Sequence, residues 1–207
     1  MGSRTARADE ARFEDPVERA NVDTTYGRID GDVGISVGAG ATFGPNAPRA
    51  TLDVRLRYLE TAGVFLSYED GLSATASDPR RVVAAGLELR PLFLARWLSG
   101  REWSVARLDL AFDSLGIEIG GFVAEPVGRA FVASPGFQAS LGIEVPILPS
   151  ANGPWIGLHG GARWSDEAVE GAPVMSAFDR SLFLTLTVAY HQVLGAHLVD
   201  VRDVAPR

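Results

Sequence analysis

The chain has 207 residues, a formal net charge of −7, no cysteine and three histidines. The length suits one domain, the negative balance argues against nucleic acid as a partner, and the lack of cysteine excludes disulfides, thiol chemistry and cysteine-bound zinc. Every basic side chain is arginine, and no apolar run reaches the roughly 18 residues that a membrane-crossing helix needs.

Residues 1–25 mix both charges with few apolar groups, which predicts a disordered or weakly structured segment, or a short helix around 10–20, outside the main domain. No apolar centre of a signal peptide is present. The expectation is that Met1-Gly2-Ser3 is a scar before a mature, exported chain, with a cytoplasmic protein bearing a charged tail as the alternative. The stretch 26–44 carries a pattern that recurs down the chain. Ile29, Val33, Ile35, Val37, Ala39, Ala41 and Phe43 alternate with Arg28, Asp30, Asp32, Ser36, Thr42 and glycines. A period of two gives a β-strand one oily and one polar face, whereas a helix would scatter the charges around its cylinder.

Strand two is predicted over 50–60, with Leu52, Val54, Leu56 and Tyr58 against Asp53, Arg55 and Arg57. A tight turn at Thr61-Ala62 leads to strand three over 63–70 and a loop over 71–79. Strand four is predicted over 81–95, with Pro91 at a bulge or near the strand end because it has no N–H for the ladder. The connection 96–104 holds Trp97 and Trp103 among arginines, a composition that suits a membrane–water boundary or an ordinary packed loop. Strand five, over 104–123, changes phase: Leu108, Leu110 and Phe112 are even, Leu115, Ile117 and Ile119 odd. One extra residue in a strand does this, so a β-bulge is predicted at Ser114; the alternative is that 104–113 is not strand. A loop over 124–133 precedes strand six, 134–147. Strand seven covers 154–165, and the longest loop, 166–180, leads to strand eight, 181–192. The tail 193–207 has no clear period.

These make an all-β chain of eight antiparallel strands in hairpin succession, 26–192, with longer loops on one side and mostly short turns on the other. That asymmetry is a habit of outer-membrane barrels. Alternation alone leaves open which face points outward. A soluble barrel puts oil inside; a membrane barrel inverts this. Three features favour inversion. The bulky groups lie on the oily face, and the polar face is largely Gly, Ser and Thr, small enough for a narrow lumen. The polar face carries both signs, as buried charges require. The oily face carries no charge along its central stretch. The candidate lumen charge network is Arg55, Glu69, Glu88, Arg90, Glu118, Glu144 and Arg163, with Glu69 expected opposite Arg55 across strands two and three.

By strand number, dyad alternation and loop asymmetry the chain resembles the small eight-stranded outer-membrane barrels, the OmpA/OmpX-like superfamily. The resemblance covers 26–192 and implies an up-and-down transmembrane β-barrel with a polar, side-chain-filled lumen. It also implies location in the outer membrane of a Gram-negative bacterium, with membrane lipid and lipopolysaccharide around the wall. A monomer is expected, with a structural role or adhesion through the loops 71–79, 124–133 and 166–180, and no open pore. Members often close the last strand on an aromatic residue; Tyr190 stands near that place, but the chain continues past it.

Two other readings compete: a soluble or periplasmic lipocalin-like barrel binding an apolar ligand, and a lipid-modifying enzyme. For the second, His159 is followed by Gly160-Gly161 and His191 by Gln192-Val193, neither of which is the His and Ser two apart of a lipid A deacylase-type site. Asp113-Ser114 is the acid–serine pair of a palmitoyltransferase-type site, but no histidine lies in the first half of the chain. No catalytic residue and no cofactor is assigned. His159 and His191 share the polar face and, with Glu144, are weak candidates for a metal; hydrogen bonding in a polar lumen is the plainer reading.

Overall fold

The computed structural model describes residues 26–72, 79–125, 134–171 and 179–196. Eight antiparallel strands pair in chain order and β8 returns to β1, closing a barrel. They are β1 (Val33–Phe43), β2 (Arg49–Tyr58), β3 (Ala62–Asp70), β4 (Arg81–Leu89), β5 (Gly116–Glu125), β6 (Ser134–Pro146), β7 (Gly153–Ser165) and β8 (Arg180–Leu194). Closure leaves no unpaired strand edge. Among the described residues three short helices join them: α1 (Pro91–Leu98), α2 (Ala106–Asp113) and α3 (Asp166–Val169). None is long and apolar enough to cross a membrane, which says nothing of strands.

One rim, the terminal rim, gathers the start of β1, the end of β8, the β2–β3 and β6–β7 turns, and the α1–α2 connection from β4 to β5. The opposite, loop rim carries the remaining connections. The segment 1–25, most of the three expected adhesive loops, and the tail beyond 196 lie outside the described residues.

The period-two rows sort by sign of hydropathy, oil outward. Leu52, Leu182 and Val188 are 58%, 76% and 60% exposed, and the rows they belong to continue around the wall on all eight strands. The alternate rows, with Ser36, Asp53, Arg55, Glu69, Glu118, Gln138 and Thr187, are buried in the lumen.

Most strands lie within two residues of their expected bounds, but three expectations fail. β1 begins at Val33, not 26; Tyr26 to Asp32 instead folds under the terminal rim. β4 ends at Leu89, because Pro91 takes the first position of α1, where its missing N–H is harmless. There is no bulge at Ser114: residues 106–113 form α2, and Ser114 is its C-terminal cap. The even-position run of Leu108, Leu110 and Phe112 imitates a strand only over a short window. Asp109, Leu110 and Asp113 share the buried side, at helical spacing. Asp109 also reaches back to accept from the amides of Trp103 and Val105, satisfying donors ahead of the helix.

Not every bulky side chain faces out. Phe65, Phe122 and Phe183 are buried on the lumen side, and Phe65 and Phe122 cluster with Val82, Ala84 and Ala124 toward the loop rim. Glycine makes the room: Gly86 faces Gly120 across β4 and β5, and a Cβ on Gly86 would stand 2.8 Å from the Phe65 ring. That Cβ would also run into the Ile119 carbonyl oxygen, so Gly86→Val should force β4 from β5 as well as displace Phe65, and cost at least about 1–3 kcal/mol in urea unfolding. Gly121 faces outward, where a Cβ would meet only the Gly136 carbonyl at 3.6 Å, so Gly121→Ala should change stability by less than about 0.5 kcal/mol.

Candidate functional site

The lumen is filled by three tiers of ions. Nearest the loop rim, Arg49 on β2 donates to Glu69 at 2.8 Å, and Arg163 on β7 holds the same carboxylate through two nitrogens at 2.5 and 3.0 Å. Arg163 also donates to Gln138 at 2.9 Å and stacks over Phe183 at 4.3 Å. Thr42 links Thr51 and Thr185 at 2.7 and 2.8 Å above them. The expected Arg55–Glu69 pair is not formed. The β2–β3 turn is centred on Glu60, so Arg55 opposes Phe65, and Glu69 opposes Thr51.

In the middle tier Arg55 chelates Asp53 at 2.6 and 3.2 Å and bonds Glu118, with Glu88 at 3.3 Å. Arg57 bridges Glu88 and Glu144, each at 3.0 Å. Arg90, just past the end of β4, joins the same two carboxylates, Glu88 at 2.7 Å. The seven residues expected in the network are all buried in these two tiers. Asp53, Arg49 and Arg57 join it, which sets five buried arginines (49, 55, 57, 90, 163) against five buried acids (53, 69, 88, 118, 144), with the half-buried Glu60 of the β2–β3 turn at its edge, 3.7 Å from Arg90. Burying ions costs several kcal/mol each unless they are matched and hydrogen-bonded, and matched numbers meet that condition.

His159 bonds Glu118 through Nδ1 at 2.8 Å, and its ring fills the space above Gly142. His191 stacks on Trp155 with ring centroids 4.6 Å apart. Both aim Nε2 at one oxygen of Glu144, at 4.0 and 3.6 Å, and neither Nε2 finds a hydrogen bond. The three residues do converge, but among the described residues no group of three His, Asp or Glu is arranged to hold a metal. The reason lies in Glu144, whose carboxylate already accepts from the guanidiniums of Arg57 and Arg90. Asp113 and Ser114 border, with His191, a cavity of about 10 Å³, no more than one water's room. Ser114 Oγ is engaged with the backbone of Ala111 and Glu144, not with the histidine.

The lowest tier is the cap, which has no counterpart among the sequence expectations. Arg28 and Arg96 meet Asp113, and Arg96 also meets Asp109. Tyr26 donates to Asp109 at 3.1 Å, and Arg28 stacks over Phe93 at 4.1 Å. Leu110, Ala151, Trp155 and Val193 form a small apolar core beneath. Only the four-residue spacing of Asp109 and Asp113 hints at a shared helix face. Burial alone would raise the Asp109 carboxyl, but the Trp103 amide, Arg96 and Tyr26 outweigh it and hold it below the usual value. Burial, then the bond to Asp109, pushes the Tyr26 phenol up to about 12.

No protein-family model matches the chain, and no curated protein matches it.

Glu144→Gln removes the charge that Arg57 and Arg90 share, leaves both on Glu88 with a buried positive charge in excess, and should cost about 3–5 kcal/mol in urea unfolding. Arg81→Ala, which breaks solvent-screened rim pairs with Asp70 and Glu125, should leave the urea midpoint almost unchanged. The cap should open at both pH extremes. A carboxyl held down in the fold stabilises fully above its unfolded value of 3.8 and stops doing so as pH falls through its folded value. A phenol raised in the fold stabilises fully below 10.0, and the effect is lost as pH rises through about 12. Tyr26→Phe should abolish the alkaline step in Trp103 fluorescence and leave the acid step in place.

Proposed function

We propose that this chain is a transmembrane β-barrel of the outer-membrane type, a structural protein that presents its loop-rim connections for adhesion, with a lumen closed to ions. The observation that carries the reading is the inversion of faces: aliphatic rows around the whole outside, matched ions within. On a water-soluble barrel so large a contiguous apolar surface would drive aggregation; in acyl chains it is the favoured surface. Strands of 9 to 15 residues suit a bilayer, which needs about 9–11 residues in a tilted strand.

Aromatic side chains support the same placement. Phe43, Phe137 and Trp164 stand on the wall near the loop rim, the last two stacked at 5.9 Å, and Tyr58 and Tyr190 near the terminal rim. Aromatic girdles of this kind mark both edges of a membrane barrel's apolar band. Lipid and lipopolysaccharide are the partners this wall would have, and nothing in the reading needs a second subunit. A lipocalin-like barrel would hold its apolar ligand inside, and the cavity between the upper and middle tiers, about 20 Å³ lined by Arg55, Glu69, Glu118 and Arg163, is small and ionic, which favours the membrane reading.

One substitution separates the readings. Val188→Arg puts a charge on the mid-wall of β8. In lipid vesicles it should cost about 2–4 kcal/mol of stability; on a solvated surface it would change stability by less than about 0.5 kcal/mol, and that result would reject the membrane barrel. Purified protein in planar bilayers should show no conductance above background.

A further inference from the structure

The terminal-rim girdle is incomplete on the strands. Tyr58 on β2 and Tyr190 on β8 supply it there, but the corresponding wall positions of β4, β5 and β6 are Leu89, Ile117 and Val145. That sector is the one from which α1 and α2 emerge. α2 packs against β6, and the outer surface of the two helices and their link is apolar and aromatic. Trp97, Trp103 and Phe112 are 38%, 54% and 43% exposed, and Leu98 and Leu108 are 76% and 56% exposed. Trp103 and Phe112 pack edge to face at 5.2 Å. The opposite sides of both helices are spent on the cap: Phe93, Arg96, Asp109, Leu110 and Asp113 are buried.

We infer that α1, α2 and their link form an interfacial anchor, whose outer face lies in the headgroup region of the lipid leaflet on the terminal side. The inference rests on the membrane reading above and deepens it, by naming a second lipid-contact surface off the strands.

Three features point to lipid as the occupant. The helical surface is continuous with the apolar wall, through Leu89 at the end of β4 and Leu115 and Ile117 at the start of β5, all more than 40% exposed. Its tryptophans stand at the terminal rim beside β4, β5 and β6, whose wall positions there are aliphatic, and indole rings settle at the membrane–water boundary. Arg101 and Arg107 are exposed on the same segment, where guanidinium meets lipid phosphate. Short amphipathic helices with an aromatic–leucine face and a basic edge lie in the plane of the interface in this way. Latching by Arg28 and Arg96 to Asp109 and Asp113 sets the helices rigidly on the rim, so the anchor leans on one sector of the barrel only.

The chain has no cysteine, so single cysteines can carry nitroxide labels without other changes. Leu98→Cys and Leu108→Cys test the anchor, Val188→Cys the wall, and Asp30→Cys, exposed at the terminal rim, the water phase. Protein in phospholipid vesicles would be read by relaxation with oxygen, which partitions into lipid, against an aqueous nickel chelate. The expected order of depth is Val188 deepest, Leu98 and Leu108 intermediate, and Asp30 aqueous. Labels at Leu98 and Leu108 as open to nickel as Asp30, with Val188 deep, would overturn the anchor and leave the barrel reading standing. A Val188 label open to nickel would overturn both.

Discussion

Guanidinium–carboxylate pairing in a closed lumen is the constraint on which the rest of the structure depends. An eight-stranded barrel is just wide enough for side chains to fill, and the inner cavities bordered by the described residues between its tiers of ions, about 20 and 10 Å³, leave little room for water. Each inward charge must then meet its opposite. Five arginines and five acids do so on six of the eight strands and just past the end of β4, which ties distant parts of the wall together: Glu69 of β3 to Arg163 of β7, Arg57 of β2 to Glu144 of β6. Because guanidinium is planar and offers several donors, one arginine serves two carboxylates, and the network needs few residues.

This arrangement decides what the lumen can do. Carboxylates already satisfied by arginine are poor metal ligands, and the histidines beside them find Glu144 engaged. The glycines are the geometric counterpart of the ions. The Gly86–Gly120 pair admits Phe65, and Gly142 admits the His159 ring, so large groups are seated where the wall itself is thin. Stacking of Arg163 over Phe183 and Phe122 joins the apolar cluster to the ionic one.

The same pairing recurs at the terminal rim with a different purpose. There it holds two helices across the barrel end, and helices held from one side must show the other. Their exposed side is apolar, where an ordinary solvent-facing helix would be charged. The cap thus covers the terminal end of the lumen with one side and shows an apolar surface on the other.

Much of the architecture is legible in the chain because a strand declares itself locally. A period of two from Val33 to Phe43, or from Leu182 to Tyr190, needs no distant partner to be recognised, and the small polar face beside it already implies which side has room outside. Three things are not legible. Pro91 does mark the end of β4, but the run 106–113 misleads because eight residues with alternating oil fit a strand as well as a helix, and only packing on β6 and the Asp109–Asp113 latch choose between them. Glu69 takes Arg49 and Arg163 in place of Arg55 because the turn centred on Glu60 sets Glu69 opposite Thr51, beside Arg49 on the neighbouring strand, and Arg163 reaches it across the lumen. The partners of Glu144 lie on β2 and beyond the end of β4, far apart in sequence. Alternation, sign balance and strand number are properties of neighbouring residues, and the sequence alone determined them. Which ion meets which, and that two helices close one end, were decided by closure of the barrel, since only closure brings opposite walls within reach of one another.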